Sequence, residues 1–310
     1  MKYFYIHPYK PQYFFPEGFE SHKVFVSFFK PYSFKGKISW FLFIKFSLYR
    51  FFFKKKNIEE FIPEIKIRKI INSESSIAFN SGTAGPEQKI TGLGLQNNGR
   101  FFFLKYAQSS LGIKNVINEH YILKNLQGLD FVPKIQNFYK DDNQTLLRTD
   151  VLSGNRLGNI PLNETILNCL FRLSEQSVKS QNKTKSNLKF IFAHGDFCPW
   201  NMMRKNNKIL LFDWEMGGNY PLGYDLFTYI FQTNFLLNPN KPISEIMLEN
   251  KNNMKLYFNH FNIDDWNDYL LEFILLKIDL ETKKEEHGMA FFYENLFDFI
   301  KINKENKVKI

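Results

Sequence analysis

The segment from Phe192 to Asp225, FAHGDFCPWNMMRKNNKILLFDWEMGGNYPLGYD, constrains this chain more than any other. A strand-like run, Lys189 to Ala193, leads into His194-Gly195-Asp196 and then Cys198-Pro199-Trp200-Asn201. A second apolar strand, Ile209 to Phe212, ends in Asp213-Trp214-Glu215. The D-x-x-x-x-N spacing from Asp196 to Asn201 lets one loop present both side chains, and a hairpin bracketed by Asn201 and Asp213 aims those two at one cation. Singly, each acidic residue reads as a helix cap or a solvated loop residue, and His194 as a hydrogen-bonded core histidine. Together they suit phosphoryl transfer, where catalysis rests on positioning and on neutralising charge. One carboxylate orients the proton of an attacking hydroxyl, while an amide oxygen and a second carboxylate offer magnesium hard oxygen donors.

The HGDFCPWN run, the DWE triplet and Gly223-Tyr224-Asp225-Leu226 resemble the motifs of the aminoglycoside phosphotransferase and choline kinase group of the protein-kinase-like fold. That resemblance implies Asp196 as catalytic base, Asn201 and Asp213 as magnesium ligands, Asp225 as a buried brace under the catalytic loop, and ATP with Mg2+ as cofactors. Trp214 and Glu215 stand where ordinary protein kinases carry Phe-Gly, which favours a small-molecule acceptor. The fold implied is α+β and bilobal: a small antiparallel-sheet N-lobe over 73–151, a mainly helical C-lobe over 152–310, and an aromatic, basic N-terminal extension over 1–72.

From Ser73 the pattern turns to short strands. Ser76 to Asn80 is followed by the turn Ser81-Gly82-Thr83-Ala84-Gly85-Pro86, then by Gln88 to Leu95, the hairpin signal Asn97-Asn98-Gly99, and Arg100 to Tyr106. A glycine-rich turn lets backbone N–H groups approach phosphate oxygens, which makes Gly82, Thr83 and Gly85 candidate nucleotide contacts. Lys105 lies near the end of the third strand, where a kinase places the lysine that contacts the α- and β-phosphates. Glu119 falls within a helix expected over Asn115 to Leu126, so that the two form the ion pair that fixes the lysine. Val132 to Ile135 and Gln144 to Val151 are expected as the last strands of the lobe, the latter including the hinge that reads adenine. The run from Ser81 to Lys89 resembles, more narrowly, kinase-like proteins encoded beside glycosyltransferases in bacterial surface-polysaccharide clusters.

The first 72 residues are aromatic and proline-rich, then run through Trp40 to Phe53 into Lys54-Lys55-Lys56. The stretch from Trp40 to Phe53, about 14 residues with Lys45 and Arg50 inside it, is too short and too charged for the roughly 20 apolar residues that span a bilayer. Residues 40–56 either lie in a membrane interface, lysines near anionic lipid, or pack their rings on the lobe. Pro8, Pro11 and Pro16 interrupt the opening and argue against a signal peptide. Cys169 and Cys198 lack C-x-x-C spacing, so neither a disulfide scaffold nor a zinc site is expected, and a cytoplasmic location fits. The net charge of +10 suits an anionic partner, and no nucleic-acid motif is present.

After Asp225, helices are expected over Tyr224 to Leu237, Ile243 to Phe261, Asp265 to Thr282 and Gly288 to Lys301. They should form the acceptor side, with Asp268, Glu272, Asp279, Glu285 or Glu294 available to a cationic substrate. The expectation is transfer of the γ-phosphate of ATP to a hydroxyl of a small molecule, a sugar or glycoconjugate precursor. Its rivals are a kinase-shaped scaffold that transfers nothing and an aminoglycoside-modifying kinase.

Overall fold

The computed structural model describes residues 3–5, 12–17, 25, 34–45, 55–56, 58–72, 75–176, 178, 187–284 and 287–305. The chain divides into two compact units, Met1–Gln127 with Pro133–Leu152, and Gly128–Val132 with Ser153–Ile310.

The first unit is built on one eight-stranded antiparallel sheet in the order β3-β1-β2-β4-β5-β6-β8-β7. Its strands are β1 (Tyr3–Tyr5), β2 (Tyr13–Pro16), β3 (Lys55–Lys56), β4 (Ser76–Asn80), β5 (Ile90–Leu95), β6 (Phe101–Ala107), β7 (Ile135–Lys140) and β8 (Thr145–Asp150). Its helices are α1 (Phe34–Lys45), α2 (Glu64–Ile71) and α3 (Ser110–Asn125). Residues expected to precede the lobe thus supply three strands of the same sheet. Period-two alternation sorts the side chains onto two faces. Ile77, Phe79, Phe102, Leu104 and Tyr106 pack with Tyr3, Tyr5 and Phe14 and with Ile67 and Ile71 of α2. Ala78 and Leu93 meet Phe15 and Phe25 on the other face, where Trp40 of α1 is partly buried. Each fully buried Phe there contributes about 2–3 kcal/mol. The Tyr3 hydroxyl donates to the buried Glu64 carboxylate at 2.6 Å, and Arg68 Nε donates to the same oxygen at 2.6 Å, tying β1 to α2.

The β5–β6 hairpin turns at Asn97-Asn98-Gly99, where Gly99 has φ +79°. On β5, Gly94 admits the Phe102 ring, which would stand 2.0 Å from a Cβ there. α3 starts earlier than expected because the Ser109 side chain caps it, accepting from the Gly112 N–H at 3.2 Å. Val132 to Ile135 is not a strand. Pro133 has no N–H to give a ladder, so the strand begins at Ile135 and Val132 belongs to the second unit. Of residues 40–56, 46–54 fall outside the described residues; Trp40 lies against the Tyr13 and Phe15 rings, and Phe41 and Leu42 are exposed. Among the described residues no helix is long and apolar enough to cross a membrane.

The second unit has two small antiparallel sheets and a helical majority. β10 (Phe190–Ala193) pairs with β13 (Gly218–Pro221), and β9 (Asn155–Arg156), β11 (Met202–Lys205) and β12 (Lys208–Leu211) pair in the order β12-β11-β9. The helices are α4 (Glu164–Ser174), α5 (Tyr224–Phe227), α6 (Thr233–Leu237), α7 (Ile243–His260), α8 (Asn267–Lys283) and α9 (His287–Glu305). The helix expected over Tyr224 to Leu237 forms without a break in helical backbone, but a π-helical segment, Thr228–Gln232, lies between α5 and α6. Residues 128–132 are stitched to this unit by the Leu211 N–H donating to the Phe131 carbonyl, and by Asp130 accepting from Arg172 and Lys208.

Candidate active site

In the second unit β10 delivers His194, Gly195 and Asp196 into a tight loop. Gly195 takes φ +82°, and a Cβ there would stand 2.2 Å from the Met216 carbonyl oxygen. The buried Asp225 carboxylate accepts from the His194 N–H at 2.7 Å and the Gly195 N–H at 2.9 Å, fixing the backbone that carries Asp196. Burial pushes the Asp225 carboxyl above its usual range, against the pull of His194, the two backbone donors and Lys277. His194 is a core histidine. Its Nδ1 accepts from the Asp196 N–H at 3.3 Å, so its Nε2 carries the proton and donates to the Phe212 carbonyl at 3.0 Å. Trp214 lies under this arrangement, fully buried, with its Nε1–H donating to the Leu211 carbonyl and its ring 4.5 Å from that of His194.

Asn201 ends the 3-10 turn Pro199–Asn201, and the β11–β12 hairpin runs from it to Asp213. The Phe212 N–H donates to the Asn201 carbonyl at 3.1 Å, so Asn201 and Asp213 leave the hairpin mouth side by side. The Asn201 amide nitrogen is committed twice, to the Asp196 carbonyl at 2.9 Å and to Asp196 Oδ2 at 2.7 Å. Its amide oxygen is therefore the atom left to face a cation. Asp213 takes the left-handed conformation, φ 69° and ψ 60°, a strained geometry for a non-glycine residue that recurs at functional positions. An amide oxygen beside a carboxylate is a hard oxygen set that fits magnesium.

The first unit holds the other candidate residues. Lys105 on β6 and Glu119 on α3, both buried, are joined at 2.5 Å between Nζ and Oε2. Gly82, Thr83 and Gly85 sit on the turn between β4 and β5. The Gly82 N–H donates to Asn80 Oδ1 at 2.7 Å, so that donor is used within the turn, while Thr83 and Gly85 are exposed.

Motif spacing did not point to Gln232. Its Nε2 donates to Asp196 Oδ1 at 2.8 Å from the end of the π-helical segment. No periodicity singles it out, since the helical pattern there reads as unbroken. The acidic positions on the last helices are mostly solvated: Asp268, Asp279 and Glu294 are exposed, Asp279 pairs with Lys283, Glu272 is half-buried, and Glu285 lies outside the described residues. Both cysteines are buried, and burial pushes the Cys169 thiol up to about 12 and the Cys198 thiol well above its ordinary value, so neither is a nucleophile.

Residues 120–242 match the model of the phosphotransferase enzyme family. No curated protein matches the chain in sequence. Among solved structures, amicoumacin kinase hAmiN in complex with AMP-PNP, Ca2+ and amicoumacin superposes with a TM-score of 0.51 at 13% identity, over 78% of this chain and 95% of that one. A thermostable mutant of aminoglycoside phosphotransferase APH(4)-Ia, in ternary complex with ADP and hygromycin B, gives a TM-score of 0.55 at 12% identity, over 77% of this chain and 97% of that one. At such identity the likeness establishes the fold, which is α+β with an antiparallel sheet in one unit and helices dominating the other. Across residues 120–242 the chain carries the pattern of the phosphotransferase enzyme family, in a fold it shares with the aminoglycoside kinases.

Proposed function

We propose that the chain is an ATP- and Mg2+-dependent phosphotransferase that acts on a hydroxyl of a small molecule, a sugar or glycoconjugate precursor. The observation that carries this reading is the double commitment of the Asn201 amide nitrogen to Asp196, which leaves the amide oxygen as the atom available to a cation, at the hairpin mouth that also carries Asp213. Asp196 orients the acceptor hydroxyl and takes up its proton. Asn201 and Asp213 hold the cation, which when bound neutralises charge on the phosphates. Lys105 steadies the α- and β-phosphates and Glu119 fixes Lys105. Gly82 shapes the turn from which Thr83 and Gly85 contact nucleotide.

A pocket of about 250 Å3 within the second unit supports a polyhydroxylated acceptor. Asn159, Asn234, Asn250 and Asn253 line it together with Tyr229 and Thr233. Asn234, Asn250 and Asn253 each spend one amide hydrogen on a backbone carbonyl, which leaves each a second amide hydrogen for a hydroxyl. Tyr229 and Thr233 belong to the same helical stretch as Gln232, which bonds Asp196. The same reading keeps the enzyme in the cytoplasm, with α1 at the lipid surface: Ile38, Phe41 and Leu42 are exposed at helical spacing, with Lys35 exposed one turn before them.

Thermal-shift titration tests the cation site. ATP with Mg2+ should raise Tm well beyond ATP with chelator, by roughly 2–4 °C per kcal/mol of metal-dependent binding. Asn201→Ala and Asp213→Ala should abolish that difference. A chain with no metal-dependent stabilisation is a kinase-shaped scaffold, and the reading fails.

A further inference from the structure

Lys277 of α8 is buried to 2% exposure, and its ammonium donates to Gln232 Oε1 at 2.8 Å. The Tyr224 and Phe273 rings lie 5.2 and 5.8 Å from it. Gln232 in turn donates from Nε2 to Asp196 Oδ1 at 2.8 Å. The chemistry of the ends dictates how the amide between them is turned. An ammonium only donates and an ionised carboxylate only accepts. The opposite orientation would set NH2 against NH3+ and carbonyl oxygen against carboxylate. Lys277 therefore selects one orientation of the Gln232 amide, and the π-helical segment Thr228–Gln232 brings that amide to the carboxylate. Segments of this kind are frequent at functional sites.

Building on the phosphotransferase reading, we propose that Lys277 and Gln232 are a positioning relay for Asp196. Gln232 holds Oδ1 as Asn201 holds Oδ2, so the carboxylate is fixed against rotation from both sides. In phosphoryl transfer the carboxylate's direction weighs more than its basicity, because little covalent chemistry falls to the protein, and small misplacements cost rate heavily. Neither residue touches substrate; both act through Asp196.

The test is a double-substitution cycle on Lys277→Met and Gln232→Leu, with Tm and steady-state kinetics measured for each variant. Each single substitution should lower kcat by about tenfold to a hundredfold and leave the nucleotide KM within about twofold. Each also leaves a buried polar partner unpaired and should lower Tm, whereas removing both partners restores packing without the orphan. The double variant should therefore regain Tm over the singles yet keep their low kcat. Adding Lys277→Met to Asp196→Ala should cost no further turnover. A kcat that recovers together with Tm in the double variant, or effects that multiply on top of Asp196→Ala, would overturn the relay and leave Lys277 a packing residue. A readout independent of turnover is solvent exchange of the Gln232 side-chain amide protons, by NMR. They should be protected in the native chain and exchange faster in Lys277→Met; equal rates would also overturn the proposal. A wild type that phosphorylates nothing defeats the functional reading alone, because the exchange measurement still decides the relay.

Discussion

At Gly195 a φ of +82° coincides with the Met216 carbonyl, 2.2 Å from where a Cβ would stand. Two costs add there: the left-handed conformation, about 1 kcal/mol for an L residue, and a clash with backbone that a flexible side chain cannot relieve. Gly195→Ala should lower stability by roughly 2–4 kcal/mol and displace Asp196. Urea unfolding with a turnover assay checks it, and an alanine variant as stable and active as the parent would show that the loop is not held as described. The Asp196–Asn201 contact and the hairpin between Asn201 and Asp213 were legible in the sequence because a loop and a hairpin are local, so spacing along the chain translates into proximity. Gln232 and Lys277 were not legible. Their contacts with Asp196 and with each other join residues 36 and 45 positions apart, and the π-helical segment leaves no mark in the hydrophobic pattern.

The elements show the same division between local and long-range signals. Asn97-Asn98-Gly99 announced the β5–β6 hairpin, and the strands and helices fall within a few residues of the sequence pattern wherever caps and turns mark their ends. The β1 and β2 pairings were hidden, because prolines at 8, 11 and 16 and near-continuous aromatics obscure alternation. Val132 was expected to open a strand, and the attachment of the short segment 128–132 to β12 depends on contacts distant in sequence. There Lys208 first, then Arg172, holds the Asp130 carboxyl down to about 2. The shift is a depression, so the stabilisation is present above the ordinary carboxylate pKa near 4 and is lost as pH falls from about 4 towards about 2. Asp130 is half exposed, and the effect is correspondingly small. An NMR titration of the Asp130 carboxyl should show a midpoint near 2; a midpoint near 4 would mean the bridges to α4 and β12 do not persist in solution. For α1, the chain should cosediment with anionic vesicles, and Ile38→Glu with Leu42→Glu should abolish this without changing Tm. Binding unaffected by those charges would remove α1 from the lipid surface.

For the whole molecule, composition alone allowed a well-packed protein and little more, and charge of +10 fits any anionic partner. The fold followed from motif resemblance and agrees with the aminoglycoside kinases in structure. The acceptor was illegible because cation-binding carboxylates and solvated helix faces look alike in sequence, and those on the final helices prove largely solvated. The account stands or falls on whether Asp196 directs a hydroxyl at the γ-phosphate. The most direct measurement is ADP formation from ATP and Mg2+ against a panel of sugars, amino alcohols, aminoglycosides and lipid-linked saccharides, run in parallel with wild type and Asp196→Ala. The account predicts acceptor-dependent turnover that falls by orders of magnitude in Asp196→Ala, while the nucleotide-induced rise in Tm stays nearly intact. Equal turnover in the two proteins would contradict it.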